Sequence, residues 1–274
     1  TLNYSLQALR MLSAAFDNVI MLLGNHDLYF RDKLDMHSIP YAQEFSNIHL
    51  ITKPTFVNDF AFVPWLVGDE YKKISHIRNP YLFCHAEIAK FKMNAMVELP
   101  DHGGLNADHF KNQQLVFSGH FHKRQRKGNI IYIGNPFPHN FADAHDDDRG
   151  CMFWTPGKEP VFARWPGAPK FRVLNLSQVL VDPHTYIDNK TFAKINVDVD
   201  INYEDSNFIR DLFENELQAL DIHFINNQNG LEDVEYNDDE VSFESVDSIV
   251  LGHLANIEST TMDKTLLTQI YQSI

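Results

Sequence analysis

Leu115-Val116-Phe117-Ser118-Gly119-His120-Phe121-His122 is a short apolar run that ends on a glycine and two histidines. Its uncharged start is the pattern of a strand covered on both faces. Histidines at i and i+2 on an extended chain project to the same side, and imidazole is the commonest transition-metal side-chain ligand. Alone, such a pair is most often just a polar strand end. Two other apolar runs, read likewise as strands covered on both faces, give it company. Val19-Ile20-Met21-Leu22-Leu23 stops at Gly24-Asn25-His26-Asp27, and Tyr81-Leu82-Phe83-Cys84 stops at His85. Sites in helix-covered sheets form at the carboxyl ends of strands, so three such ends are expected to bring an amide oxygen and three imidazoles to one edge.

Working outward, Tyr4, Leu6, Leu9, Leu12, Ala15 and Phe16 have helical spacing, and Asn18 ends the pattern. Residues 29–38 read as a polar loop, and Ala42 to Phe45 as a short helix. Ile48 to Ile51 and Phe60 to Val63 read as strands, and 70–78 as a polar helix closed by Asn79-Pro80. Ile130 to Ile133, Cys151 to Trp154 and Val161 to Trp165 add further β structure. After Pro169 the character changes. Ala193 to Asp200 alternates as a half-exposed strand should. An amphipathic helix follows through Phe208, Leu212, Phe213, Leu217 and Leu220, then a strand over Ile222 to Ile225. The expected organisation is a core over 1–168, an α/β cap over 169–228, an acidic linker over 229–242 and a helical segment over 243–274.

The chain has 274 residues and 44% hydrophobic content, enough to bury a substantial core. No apolar run approaches ~18 residues, so no membrane span is expected. The first residues lack a basic-then-apolar leader pattern, and Thr1 falls inside a helical pattern. A natural start upstream and a cytoplasmic location are therefore expected. Cys84 and Cys151 have no C-x-x-C spacing, which argues against a thiolate zinc site or a disulfide framework and reads both as core fillers. The formal charge of −14 is unevenly placed. Residues 1–150 carry 15 Lys and Arg against 16 Asp and Glu, and residues 151–274 carry 8 against 21. The nearly neutral first part, rather than the acidic second, is the surface suited to a polyanion.

Gly24-Asn25-His26-Asp27, then His85, then Gly119-His120-Phe121-His122 resemble the last three motifs of the calcineurin-like metallophosphoesterases. Val63-Pro64-Trp65, Tyr132-Ile133-Gly134-Asn135-Pro136-Phe137 and Asp146-Asp147-Asp148-Arg149-Gly150 narrow the resemblance. They look like the SbcD-type nuclease subunit of double-strand-break repair complexes, especially its phage recombination form. The resemblance implies an α/β (α+β) chain, part of a four-layer αββα sandwich with a small α/β capping domain and a C-terminal helical segment. It makes Asn25, His85 and His120 ligands of one divalent ion and His122 a ligand of another, manganese foremost with magnesium as the alternative. His26 would be the acid that protonates the leaving oxygen, with Asp27 orienting it. Two ions ~3.5–4 Å apart can clamp a phosphodiester and activate water for in-line attack. The implied activities are duplex exonuclease and single-strand endonuclease. The implied partners are DNA, an SMC-like coiled-coil ATPase and a second copy of the chain.

Two departures qualify the resemblance. Cys84 stands where the family usually has glycine, and the family's Asp-x-His and Gly-Asp-x-x-Asp motifs are absent from the residues before Asn25. The chain as given is therefore expected to cleave nothing, to bind one ion loosely at His120 and to leave His122 idle. Lys123, Arg124, Arg126 and Lys127 read either as phosphate contacts or as a solvated basic turn. His37, His102 and His109 read as surface histidines. Val246, Ile249, Val250 and Leu254, then Leu266, Leu267, Ile270 and Tyr271, form apolar stripes that by resemblance dock on the ATPase. Two other functions stay open: a small-molecule metallophosphatase or phosphodiesterase, and a non-catalytic DNA-end-binding scaffold subunit.

Overall fold

The computed structural model describes residues 2–30, 33–93, 97–200 and 203–226. The acidic linker over 229–242 and the docking stripes from Val246 to Tyr271 lie outside them. Among the described residues no helix is long and apolar enough to cross a membrane.

Helix α1 (Leu2–Ala15) leads into β1 (Val19–Leu22). The stretch read as a loop is instead a hairpin of β2 (Leu28–Phe30) and β3 (Lys33–His37). The loop reading rested on polarity, which a two-stranded hairpin near solvent shares. Strand β1 then pairs in parallel with β4 (Ile48–Ile51), and Leu9, Ala42 and Ile48 bury together beneath them. Coverage of β1 on both faces is not what the structure shows, because Ile20 is 45% exposed. Among the described strands β1 pairs only with β4, and an apolar cleft of about 820 Å³ separates it from the main sheet.

That main sheet has six strands: β5 (Thr55–Val57), β6 (Phe60–Val63), β7 (Tyr81–His85), β8 (Leu115–Gly119), β9 (Gln125–Lys127) and β10 (Ile130–Tyr132). Their spatial order is β5-β6-β7-β8-β10-β9, with β6, β7, β8 and β10 mutually parallel and the two edges antiparallel. Alternation sends Val63, Leu82, Cys84, Val116 and Tyr132 into one core with Phe91 and Phe110. On the opposite face Tyr81, Phe117 and Ile131 are buried, with Phe60, Phe83 and Trp154 packed against them. Phe83 stacks on Phe117 with centroids 5.0 Å apart. Each such side chain contributes roughly 1.5–3 kcal/mol by leaving water. The polar segment expected as a helix over 70–78 is a 3₁₀ run, Gly68–His76. Ile74 is its buried anchor, so no apolar stripe enforces the α period.

Beyond the main sheet, β11 (Gly150–Phe153) and β12 (Val161–Arg164) form a hairpin. Cys151 lies exposed on it and is not a core filler, whereas Cys84 is buried and its thiol is pushed up to about 12 by that burial. The cap follows. It comprises β13 (Lys170–Asn175), α2 (Leu176–Val179), α3 (Pro183–Tyr186), β14 (Thr191–Val197), α4 (Tyr203–Asp211), a π turn over Leu212–Glu216, and β15 (Asp221–Asn226). Its three strands are parallel in the order β13-β14-β15, and Leu174, Leu176, Val179, Ile195 and Phe213 form a core of their own. The alternation read from Ala193 onward buries Ala193 and Ile195, but the strand ends at Val197. The cap meets the preceding loop through Arg172, whose Nη1 donates to Asp147 at 2.9 Å, and through Phe171, edge-on to Phe141 at 5.1 Å.

Candidate metal centre

The ends of β7 and β8 adjoin, with His85 opposite Gly119 in the ladder. The end of β1 is drawn to them because Trp65 N–H, just after β6, donates to the Leu23 carbonyl at 2.7 Å. Asn25, His85 and His120 consequently converge. Asn25 Oδ1 lies 2.9 Å from His85 Nε2 and 3.2 Å from His120 Nδ1. Ligands each ~2.1 Å from one ion and at right angles would be ~3 Å apart, so the trio is spaced as a donor set. Among the described residues no three His, Cys, Asp or Glu side chains are so placed; the amide of Asn25 completes the group.

Burial sets the charge state of these imidazoles. His85 is pushed down to about 3, first by desolvation and then by the neighbouring His120, His26 and His122. His120 is pushed down to about 4 by desolvation, then by His122 and His26. Both are neutral near pH 7 and offer a lone pair, which is what a divalent ion requires of a histidine. The three donors thus fit a divalent ion. Carboxylates contribute nothing to this trio.

The glycines at the strand ends have a steric reason. A Cβ on Gly24 would stand 3.0 Å from His85 Cε1, and one on Gly119 would stand 3.0 Å from His85 Nδ1. The His85 ring is therefore gripped between two bare backbones. Trp65 closes the site by stacking on His120, centroids 5.1 Å apart and planes 30° from parallel.

His120 and His122 do not lie on an extended strand. β8 ends at Gly119, and His120 has φ +94°, a left-handed conformation that is strained for a residue with a Cβ. The chain bends there and buries Phe121 between the two histidines. The two rings still act on one another electrostatically, so they reach a common region through that bend and not through strand alternation.

His122 is held differently. Its carbonyl accepts from Asn135 N–H at 3.0 Å and from the Arg149 guanidinium. Arg149 is 1% exposed and also donates to Asp143 at 3.0 Å and Asp146 at 3.2 Å. Asp143 is 3% exposed, and its Oδ2 lies 3.8 Å from His122 Nδ1. Gly134, at φ +71°, lets its loop close on His122, because a Cβ there would lie 2.8 Å from the His122 carbonyl. The sequence signal for this cage was the run Asp146-Asp147-Asp148-Arg149, to which no role was assigned. His139, 5.4 Å from His122 between ring centroids, is shifted down by burial first and His122 second. It too was unassigned.

His26 is exposed on the 3₁₀ turn Asn25–Asp27. Asp27 Oδ2 accepts from Gly24 N–H at 2.8 Å, capping that turn; among the described residues it makes no bond to His26.

Of the basic residues after His122, Arg126 and Lys127 lie on β9 and Lys123 and Arg124 precede it, and each faces an acid. Lys123 pairs with Asp146 at 3.4 Å, Arg126 with Glu159 at 2.8 Å, and Lys127 with Glu98 at 3.2 Å. Arg124 pairs with Asp148 and lies 3.9 Å over the Phe162 ring. This is a partly neutralised edge rather than a free cationic turn. His109 is no simple surface residue either, since its Nδ1 accepts from Asn106 N–H at 3.3 Å and its ring meets Tyr71 edge-on. His102 is exposed, and His37 is half-buried with Nδ1 unpartnered.

Among known proteins, the chain is similar to exonuclease subunit 1 of Enterobacteria phage T4. The two are 26% identical over 273 residues, spanning 95% of this chain and 77% of that protein. No family model matches the chain.

Proposed function

We propose that this chain is the phosphodiester-hydrolysing part of a DNA nuclease subunit of the calcineurin-like, SbcD type. The observation that carries the reading is the convergence of Asn25, His85 and His120 at three strand ends. The similarity to a phage exonuclease subunit along nearly the whole chain supports it. The six-stranded, mostly parallel sheet fits the proposed sandwich, of which β1 and β4 would belong to the second sheet.

When bound, a divalent ion supplies Lewis-acid stabilisation of charge on the phosphate. Manganese is our proposal, with magnesium as the alternative. Asn25, His85 and His120 hold it, and their neutrality leaves the site positive toward a polyanion. His26, on its capped turn, is placed to donate a proton to the leaving oxygen. His122 belongs to the second ion. Residues 1–24 contain neither of the two aspartate motifs that complete such a centre in the resembled family. Hydrolysis is therefore proposed for a protein that supplies them, while residues 1–274 alone hold one ion and cleave nothing. An ATPase partner and a homodimer are proposals of the same resemblance.

The test combines binding and cleavage. Manganese titration of the chain should show one site, lost in His120→Ala. With the aspartate motifs supplied upstream, manganese should support cleavage of DNA in preference to a nucleotide-sized phosphodiester. Preference for the small ester would instead favour the metallophosphodiesterase reading. Cleavage of neither, with DNA still bound, would favour the scaffold.

A further inference from the structure

A second cavity opens beside the metal centre, on the core side of the main sheet. Its volume is about 350 Å³, within the range of pockets that take a small organic group. The walls are apolar and partly aromatic: Trp65, Leu66, Tyr71, Ile74, Ala89 and Leu105. Three polar side chains line it as well, His85, Glu87 and His102. Two of its residues tie it to the centre. His85 belongs both to this wall and to the Asn25 trio, and Trp65 stacks on His120.

An apolar, aromatic-walled pocket one side chain away from a phosphate site suits a group covalently attached to that phosphate. In a nucleic acid that group is the base, whose flat face stacks on aromatic rings while its edge meets polar atoms. We propose that this pocket receives the nucleobase of the nucleotide whose phosphate lies at the Asn25–His85–His120 centre. Trp65 and Tyr71 supply the stacking surface, and the Glu87 carboxylate and His102 imidazole meet the base edge. A base inside a duplex cannot reach such a pocket. The occupant is therefore an unpaired nucleotide, in a single strand or at a frayed end. This rests on the proposed nuclease reading and adds to it a preference for unpaired bases.

Gly104 provides a clean way to close the pocket. It lines the cavity, and a Cβ placed on it meets nothing within 4 Å, so a larger side chain has room to enter without disturbing the fold. Two dye-labelled, phosphorothioate single-stranded oligonucleotides would be compared by fluorescence anisotropy in manganese. One carries a normal terminal nucleotide and the other an abasic one. The chain is expected to bind the first about tenfold more tightly, the scale of one base–aromatic stack. Gly104→Phe and Tyr71→Ala should each bring the two affinities together, while circular dichroism melts confirm that both variants fold. A terminal 2-aminopurine should lose emission on binding the wild type and keep it with Gly104→Phe. Equal affinity of the wild type for both oligonucleotides would overturn the pocket and leave the nuclease reading standing. Binding of neither oligonucleotide would overturn both.

Discussion

Asn25, His85 and His120 are held by strand ends and bare glycine backbones, whereas His122 is held by a cage of buried ions that reaches toward the cap. In the first corner the ladder between β7 and β8 fixes the rings, and desolvation keeps them neutral. In the second corner Arg149 ties the His122 carbonyl to Asp143 and Asp146, and the adjacent Asp147 bonds Arg172 of the cap. The Arg172 guanidinium holds the Asp147 carboxyl below its ordinary value. One corner is thus rigid by sterics. The other is positioned by charge and is linked to a separate hydrophobic core.

The comparison is broken most sharply at Arg149. Replacing it by Leu leaves Asp143 buried without its cation and should cost about 3–5 kcal/mol in urea unfolding. Arg149→Leu combined with Asp143→Leu should recover part of that loss. Full stability of the single variant would show that the cage does not hold the second corner.

Metal titration separates the corners next. His120→Ala should weaken manganese binding by at least about 100-fold, more than outer-shell changes do. His122→Ala should leave it within a few-fold. Equal losses would mean that one ion bridges both histidines.

The steric corner has its own weak point. Gly119→Ala puts a Cβ 3.0 Å from His85 Nδ1. Overpacking of this kind costs about 1–3 kcal/mol, and the shifted ring should also bind manganese less tightly. Unchanged stability and affinity would show that His85 has room to move.

Acid gives the most graded effect. His85 and His120 are depressed in the folded state to about 3 and about 4, against 6.5 as the ordinary value. Between those limits the unfolded chain binds more protons, so stability is full above pH 6.5 and falls as pH drops. Each histidine contributes up to about 1.4 kcal/mol per pH unit. Urea midpoints at pH 7.5, 6 and 5 measure this slope, and His120→Asn should reduce it. A slope that is flat below 6.5 would place both imidazoles in water.

The sequence by itself identified the runs ending at Gly24, Cys84 and Gly119 as strands, because period-2 burial and uncharged runs are local properties. It also put an amide oxygen and imidazoles at one sheet edge, while the grouping of Asn25, His85 and His120 as one ligand set came from the family resemblance. It misjudged β1, whose apolar residues look the same whether a neighbouring strand covers them or a cleft does. It could not see Arg149, because a cation amid acids reads as a solvated loop until tertiary contacts bury it to 1% exposure. The bend at His120 was equally hidden, since φ +94° at a histidine is imposed by its surroundings rather than chosen by the residue. Which side chains could bind was written in the chain. Which ones meet, and what holds them there, was decided only when distant segments packed and water was excluded between them.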